Sequence, residues 1–292
     1  MQNVTPVAIA ALGLELAPAA LFGLAGEGAV RAVGRWPVAV RVSLPGLLVV
    51  PYVLVSISHH MFRWDWFALY LGLPVALAWL LLQAATADPE QRGNWRDWVV
   101  LLVLGLAVDL RWFDRAWPSG LRALNELFLV DAGLYGFLAI RRLSGTGFDF
   151  HLKWSDWKTG LRELVFFTPI VLVLGLALGF IHPHRNLPGV SSALLRWVGI
   201  FLFTAVPEEL FFRAWVQNLL ERRVGRRAAL VIASILFGLS HFNKRSSHLN
   251  WRYVLLAAIA GIFYGRAWRE NRRITASGVT HSCVDCLWYL WF

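Results

Sequence analysis

The sequence predicts an all-α fold, a polytopic bundle of about 8–10 transmembrane helices. Three observations carry that expectation. Hydrophobic residues make up 58% of the 292-residue chain, and mean hydropathy is +0.55. Only 16% of residues are charged, where a soluble domain carries roughly 25%, and a water-soluble fold of this length cannot cover so much apolar surface. Apolar runs long enough to span a bilayer also recur along the chain. A formal charge of +10 would suggest nucleic acid in a soluble protein. Here Lys and Arg sit in short loops between apolar runs, so membrane orientation accounts for them and no nucleic-acid partner is expected. The 16 Trp fit aromatic belts at the bilayer interfaces.

Spanning runs of about 17–25 residues fall at 4–24, 37–58, 66–87, 97–113, 123–140, 163–182, 195–220, 227–242, 251–268 and 274–291. Glu15 and Pro18 interrupt the first run, and Arg41 and Pro45 the second. The run at 227–242 is short. The N-terminus, Met1-Gln2-Asn3-Val4, has no basic residue ahead of its apolar run, so no cleaved signal peptide is expected. The longest loop, 141–162, places Trp154 and Trp157 among charges and reads as an amphipathic segment lying in the interface. It divides the chain into N-terminal helices over 1–162, of unassigned role, and a C-terminal unit over 163–292. Cys283 and Cys286 lie inside the last run and read as small packing residues, since one C-x-x-C without a second is weak evidence for zinc.

Loop charge orients the set. The loops at 25–36, 88–96, 141–162, 221–227 and 268–273 together hold 16 Lys and Arg, and those on the opposite side hold 7. In the C-terminal half the contrast is 12 against 4. The positive-inside rule makes the richer side cytoplasmic and puts the C-terminus on the extracytoplasmic side of what would be a bacterial inner membrane.

A charge at the centre of a spanning helix costs at least ~2.5–3.5 kcal/mol, so each one asks for a reason. Asp109, Glu126 and Asp131 read as residues near helix ends or paired with a neighbouring helix. His59, His60, His182 and His184 read as interface histidines. The stretch Val206-Pro207-Glu208-Glu209-Leu210-Phe211-Phe212-Arg213 is different, because two carboxylates and an arginine occupy the middle of an apolar helix. Glu209 and Arg213 are four apart, share a face and can neutralise one another. Glu208 points about 100° away, without a partner in its own helix. Pro207 withdraws a backbone donor and frees the carbonyl near Phe203, loosening the helix. On the next helix Phe237 stacks one turn below His241. The last helix carries His281 and Asp285, again four apart, so that the carboxylate can fix the imidazole's tautomer.

Depth offers an independent test. At 1.5 Å per residue, Glu208, His241 and His281 lie ~18, ~21 and ~12 Å from the cytoplasmic ends of their helices. All three are therefore near the middle of a ~30 Å core. Ala257-x-x-x-Gly261-x-x-x-Gly265, with Ser234 and Gly238 across from it, lets the helices pack closely around them. A carboxylate and two imidazoles at one depth suit the activation of water: Glu208 as general base, His241 holding the water, His281 with Asp285 at the oxyanion or leaving amine. The same Glu208, His241 and His281 could instead chelate a divalent metal such as zinc. The metal-free version, without cofactor, is preferred because the residues come from three helices and include no His-x-x-x-His pair.

In this order Glu208-Glu209-x-x-x-Arg213, Phe237-x-x-x-His241 and His281-x-x-x-Asp285 resemble the three signatures of the CAAX-protease and bacteriocin-processing (Abi) intramembrane proteases. The resemblance covers about the last 100 residues. It implies a four-helix catalytic core in which Glu208 activates water with His241, while His281 and Asp285 form an oxyanion site. Glu209, Arg213 and Phe237 would support them. The eukaryotic branch usually has Asn at the position of Asp285, and Asp makes oxyanion donation harder. The implied activity is an intramembrane endopeptidase of glutamic or metallo type, processing a CAAX-type or sorting-anchored substrate that is itself lipidated or membrane-anchored. Two other readings use the same helices: a non-catalytic bacteriocin-immunity or scaffold protein, and a transporter with a midplane site. The absence of inverted repeats disfavours the transporter.

Overall fold

A computed structural model describes residues 5–184, 188–244 and 248–292. Arg185 and Arg245, which contribute to the loop charges, lie outside the described residues. Among the described residues there is no strand, and ten helical segments correspond one to one with the ten apolar runs. They are α1 (Pro6–Gly34), α2 (Val38–Ser58), α3 (Trp64–Ala87), α4 (Trp95–Asp109), α5 (Ser119–Ile140), α6 (Trp154–Ala177), α7 (Val190–Val224), α8 (Arg226–Leu239), α9 (Trp251–Asn271) and α10 (Ile274–Trp291). Six of them, α1, α2, α3, α5, α6 and α7, are long and apolar enough to cross a membrane. The chain is thus a polytopic helical membrane protein, as composition and run length required.

It forms two compact units, Met1–Ser144 and Gly145–Phe292. In the first, α1 starts with Thr5 accepting from the Ala8 amide at 3.2 Å and with Pro6 in the first turn, where no amide is needed. Pro18 is carried within the helix, and the non-helical backbone falls at Ala25 instead (φ −129°, ψ 26°). The helix continues to Gly34, beyond the expected end at 24, because the Ala- and Gly-rich stretch that follows is less apolar yet still helix-compatible. Pro45 turns the middle of α2 into a 3-10 stretch, Leu44–Val49. Asp131 does not sit near a helix end; it lies within α5 and is buried, as is Glu15 of α1. Arg141 is buried between Asp97 (2.8 Å) and Asp88 (2.6 Å), an ion cluster that closes this unit after α5.

The second unit runs from Gly145 through α10. Its first residues fold onto the α9–α10 turn, so the loop at 145–153 belongs with the C-terminal helices. Trp268 Nε1 donates to the Thr146 carbonyl (3.1 Å), and the Ile274 amide donates to that of Gly147 (3.0 Å). Gly147 has φ +70°, and a Cβ there would strike the Arg272 backbone, so glycine is required. Arg273 then bridges Asp149 (2.5 Å) and Asp156 (3.0 Å). Partial burial alone would raise the Asp149 carboxyl; the Arg273 guanidinium, with the His151 amide and ring, outweighs it and holds the pKa at about 2. Residues 154–162 form the first turns of α6, where Trp157 stacks on Trp197 at 5.4 Å.

Close helix approach holds the unit together. A Cβ on Gly238 would lie 2.5 Å from the Val254 carbonyl oxygen, and one on Gly261 3.0 Å from the Cα of Ser234. The small residues of α8 and α9 therefore meet as the small-residue pattern requires. A cluster of Phe167, Phe212, Phe237, Phe263 and Tyr264 fills the space beside this contact.

Candidate active site

The carboxylates of α7 stand where its helix geometry changes. Pro207 has no N–H for the Phe203 carbonyl. The backbone adapts with a π-helical stretch at Phe201–Ala205, in which the Val206 amide bonds back to the Phe201 carbonyl. A second π stretch, Leu210–Gln217, follows the four α-helical residues Val206–Glu209. Such widened turns are frequent at functional sites. Glu209 and Arg213 share a face as their spacing demands and are both fully buried, with Arg213 Nε donating to Glu209 Oε2 at 3.0 Å. Glu208 faces elsewhere and keeps 23% of its side chain exposed.

On α10, His281 is the hub. Its Nδ1 lies 3.0 Å from Glu209 Oε1. Since a carboxylate only accepts, that nitrogen carries the hydrogen. Its Nε2 faces Glu208 Oε2 at 3.8 Å and Asp285 Oδ2 at 3.6 Å. The ring is clamped by Tyr264, stacked at 4.5 Å and 16°, and by Phe237, edge-on at 5.7 Å and 90°. The short bond that orients the imidazole therefore comes from Glu209 rather than Asp285. One turn of α10 separates His281 from Asp285, whereas α7 packs directly against the ring.

His241 lies in the turn that closes α8, its amide bonded to the Gly238 carbonyl at 3.0 Å. Its Nδ1 donates to the Phe237 carbonyl at 2.8 Å, so the neutral ring presents Nε2 as an acceptor. The ring sits 4.9 Å from Phe237 and 4.7 Å from Tyr253, between centroids. Phe237 also lies beneath Arg213, 5.2 Å from its Cζ. All seven residues singled out in the sequence thus fall into one connected network.

His241, His281 and Asp285 line a cavity of about 270 Å³, with Tyr253, Tyr264 and Trp288 among its other walls. The remaining lining comes mostly from apolar side chains of α6, α9 and α10. Glu208 is not among its walls. Among the described residues, no three His, Cys, Asp or Glu side chains are grouped so as to hold a metal ion. The Nδ1 atoms of both histidines are engaged with protein acceptors, which leaves each ring its Nε2 for the chemistry of the site.

Two residues of this site were not legible as such in the sequence. Lys244, in the turn after α8, brings its ammonium within 3.5 Å of Glu208 Oε1. Tyr264 follows a small-residue pattern on α9 that marks helix contact and not ring stacking. Neither residue shares a helix face with its partner, so no spacing rule could reveal it.

Fold and site together define a polytopic membrane protein with a Glu–His–His–Asp cluster against an apolar cavity. Residues 190–287, which hold all four of those residues, match the family model described as type II CAAX prenyl endopeptidase, Rce1-like. The matched segment contains all three of the sequence motifs. Among curated proteins, the chain is 32% identical over 188 residues to an uncharacterized MFS-type transporter of Mycobacterium tuberculosis. That alignment takes in 60% of this chain and spans 32% of the relative's length. No solved structure matches the chain.

Proposed function

We propose that the C-terminal unit hydrolyses a peptide bond in a membrane-tethered protein or peptide, using water activated by Glu208 and His241. The observation that carries this reading is the convergence on His281: Nδ1 held by Glu209, and Nε2 turned toward Glu208 and Asp285 beside an apolar cavity.

In this mechanism the Nε2 lone pair of His241 accepts one hydrogen of the water, and Glu208 removes the other as general base. The resulting hydroxide oxygen bonds to the scissile carbonyl carbon, and the C=O π pair moves onto oxygen. His281, steadied by Glu209 and flanked by Asp285, stands at that oxyanion. The C–N bond then breaks and Glu208 returns its proton to the leaving amine. The apolar cavity takes the lipid or apolar anchor next to the scissile bond, which suits a CAAX-type or sorting-anchored substrate. No cofactor enters this scheme. The metal-dependent alternative, zinc on Glu208, His241 and His281, makes a separate demand: 1,10-phenanthroline abolishes cleavage and added zinc restores it. The site is proposed to operate in a bacterial inner membrane.

The test uses the full chain in detergent or nanodiscs with an internally quenched farnesylated CAAX peptide and, separately, an apolar C-terminal anchor peptide. Glu208→Ala, His241→Ala and His281→Ala each remove cleavage while the protein still inserts and purifies as one species. Normal turnover by Glu208→Ala sinks the proposal.

A further inference from the structure

Lys244 occupies a place that neither the sequence motifs nor the family match explains. It stands in the turn after α8, three residues beyond His241. Its ammonium is 3.5 Å from Glu208 Oε1, while the other oxygen of that carboxylate faces His281 Nε2 at 3.8 Å. One carboxylate thus separates Lys244 from the imidazole at the centre of the cluster. The Lys244 side chain is 38% exposed and Glu208 23%, so neither group is sealed in the core.

On the opposite side of the site His281 stands at the oxyanion, but a second donor is missing. The fourth position of the last motif is Asp285, and its Oδ2 lies 3.6 Å from His281 Nε2. An ionised carboxylate only accepts hydrogen bonds, and beside a developing oxyanion it would repel. A tetrahedral intermediate formed next to Glu208 therefore needs its second donor, beside His281, from elsewhere, and the ammonium is the strongest kind of donor, charge-assisted and with three N–H groups.

We infer that Lys244 is a catalytic residue of the proposed hydrolysis, donating an N–H hydrogen bond to the tetrahedral oxyanion that Asp285 cannot stabilise. The inference rests on the endopeptidase reading of this site. Before attack, Lys244 pairs with Glu208. As Glu208 takes the proton of water, its negative charge is neutralised and the new charge appears on the former carbonyl oxygen. The ammonium then moves from the neutralised carboxyl to the oxyanion. When the C–N bond breaks, the carbonyl re-forms, Glu208 passes its proton to the leaving amine, and Lys244 pairs with Glu208 again. The lysine remains protonated throughout.

The experiment measures kcat and KM with whichever probe peptide, farnesylated CAAX or apolar anchor, the unchanged chain cleaves, for the unchanged chain, Lys244→Met, Asp285→Asn and the double variant. Lys244→Met lowers kcat by about 10²–10³-fold, with KM within about twofold. In the Asp285→Asn background, where the amide supplies an N–H, the same change costs at most about tenfold, the non-additivity expected of two groups serving one atom. Should Lys244→Met not purify as a folded species, Lys244→Gln, which keeps a donor and loses the charge, takes its place with an intermediate loss of kcat. An unchanged kcat in Lys244→Met overturns the inference, as does an equal loss in both backgrounds. A shift of the acid limb of the pH profile with an unaltered plateau likewise overturns it, because it would mean that Lys244 only tunes Glu208. If the unchanged chain cleaves neither probe peptide, the endopeptidase reading falls and this inference with it. Cleavage without dependence on Lys244 removes this inference alone.

Discussion

Adjacent carboxylates on α7 face opposite demands. Glu209 has no exposed side-chain surface and holds both Arg213 and His281, whereas Glu208 is part-exposed and pairs with the part-exposed Lys244 ammonium at 3.5 Å. Removing one partner of a buried pair leaves the other charge without compensation, which costs about 3–5 kcal/mol. Part-exposed pairs contribute roughly 0–1 kcal/mol. Glu209→Ala is therefore expected to lower the thermal unfolding midpoint steeply, since Arg213 Nη1 and Nη2 already have no partner and Nε would lose its own. Glu208→Ala leaves the midpoint nearly unchanged while abolishing turnover. Thermal unfolding of the two variants in the same detergent checks the contrast, and equal midpoints would contradict it. The i,i+4 spacing made the Glu209–Arg213 pair legible in the sequence, because both members lie on one helix. The Glu209–His281 bond was hidden, since it joins residues 72 positions apart through packing alone.

At the scale of elements, the apolar runs located all ten helices, six of them long and apolar enough to cross a bilayer. Their ends were less legible. The α7 helix begins at Val190, within a Ser-containing stretch, and α6 at Trp154, among charges, where Asp156 Oδ2 accepts from the Lys153 amide at 3.0 Å. The small residues were informative for a physical reason: glycine is the residue that allows two helix backbones to touch. Gly238 is the sharpest instance, since its added Cβ would meet the Val254 carbonyl oxygen at 2.5 Å and Ala258 Cβ at 2.7 Å, and backbone cannot yield. Gly238→Ala is expected to push α8 from α9 and carry His241, three residues on, with it. A misplacement of about 1 Å costs on the order of 10²-fold in rate, so kcat falls by about that factor. Gly199→Ala on α7, where nothing lies within 4 Å of the new Cβ, leaves kcat unchanged. Comparable losses in the two variants would show that Gly238 matters only for general stability.

For the whole molecule, orientation decides which substrates can reach the site, and the C-terminal loops carry that information in their charge. They hold 12 Lys and Arg on one side and 4 on the other. Basic loops are retained in the cytoplasm. Arg226 begins α8 on the richer side, and Asn250 caps α9 on the poorer one, its side chain accepting from the Tyr253 amide at 3.3 Å. With Cys283 and Cys286 replaced by Ser, a single cysteine at Asn250 is expected to react with a membrane-impermeant maleimide in intact cells. One at Arg226 reacts only after the membrane is opened. His241 closes α8 at the end nearer Asn250, so labelling in that pattern would put the proposed water-holding end of the site toward the extracytoplasmic leaflet and favour an anchor presented there over a prenylated cysteine in the cytoplasmic leaflet. The opposite labelling pattern would reverse that preference and place the CAAX-type peptide first. Comparing cleavage of the farnesylated peptide with that of the anchor peptide, in proteoliposomes of known orientation, measures the preference directly, because each substrate is then offered from one side alone.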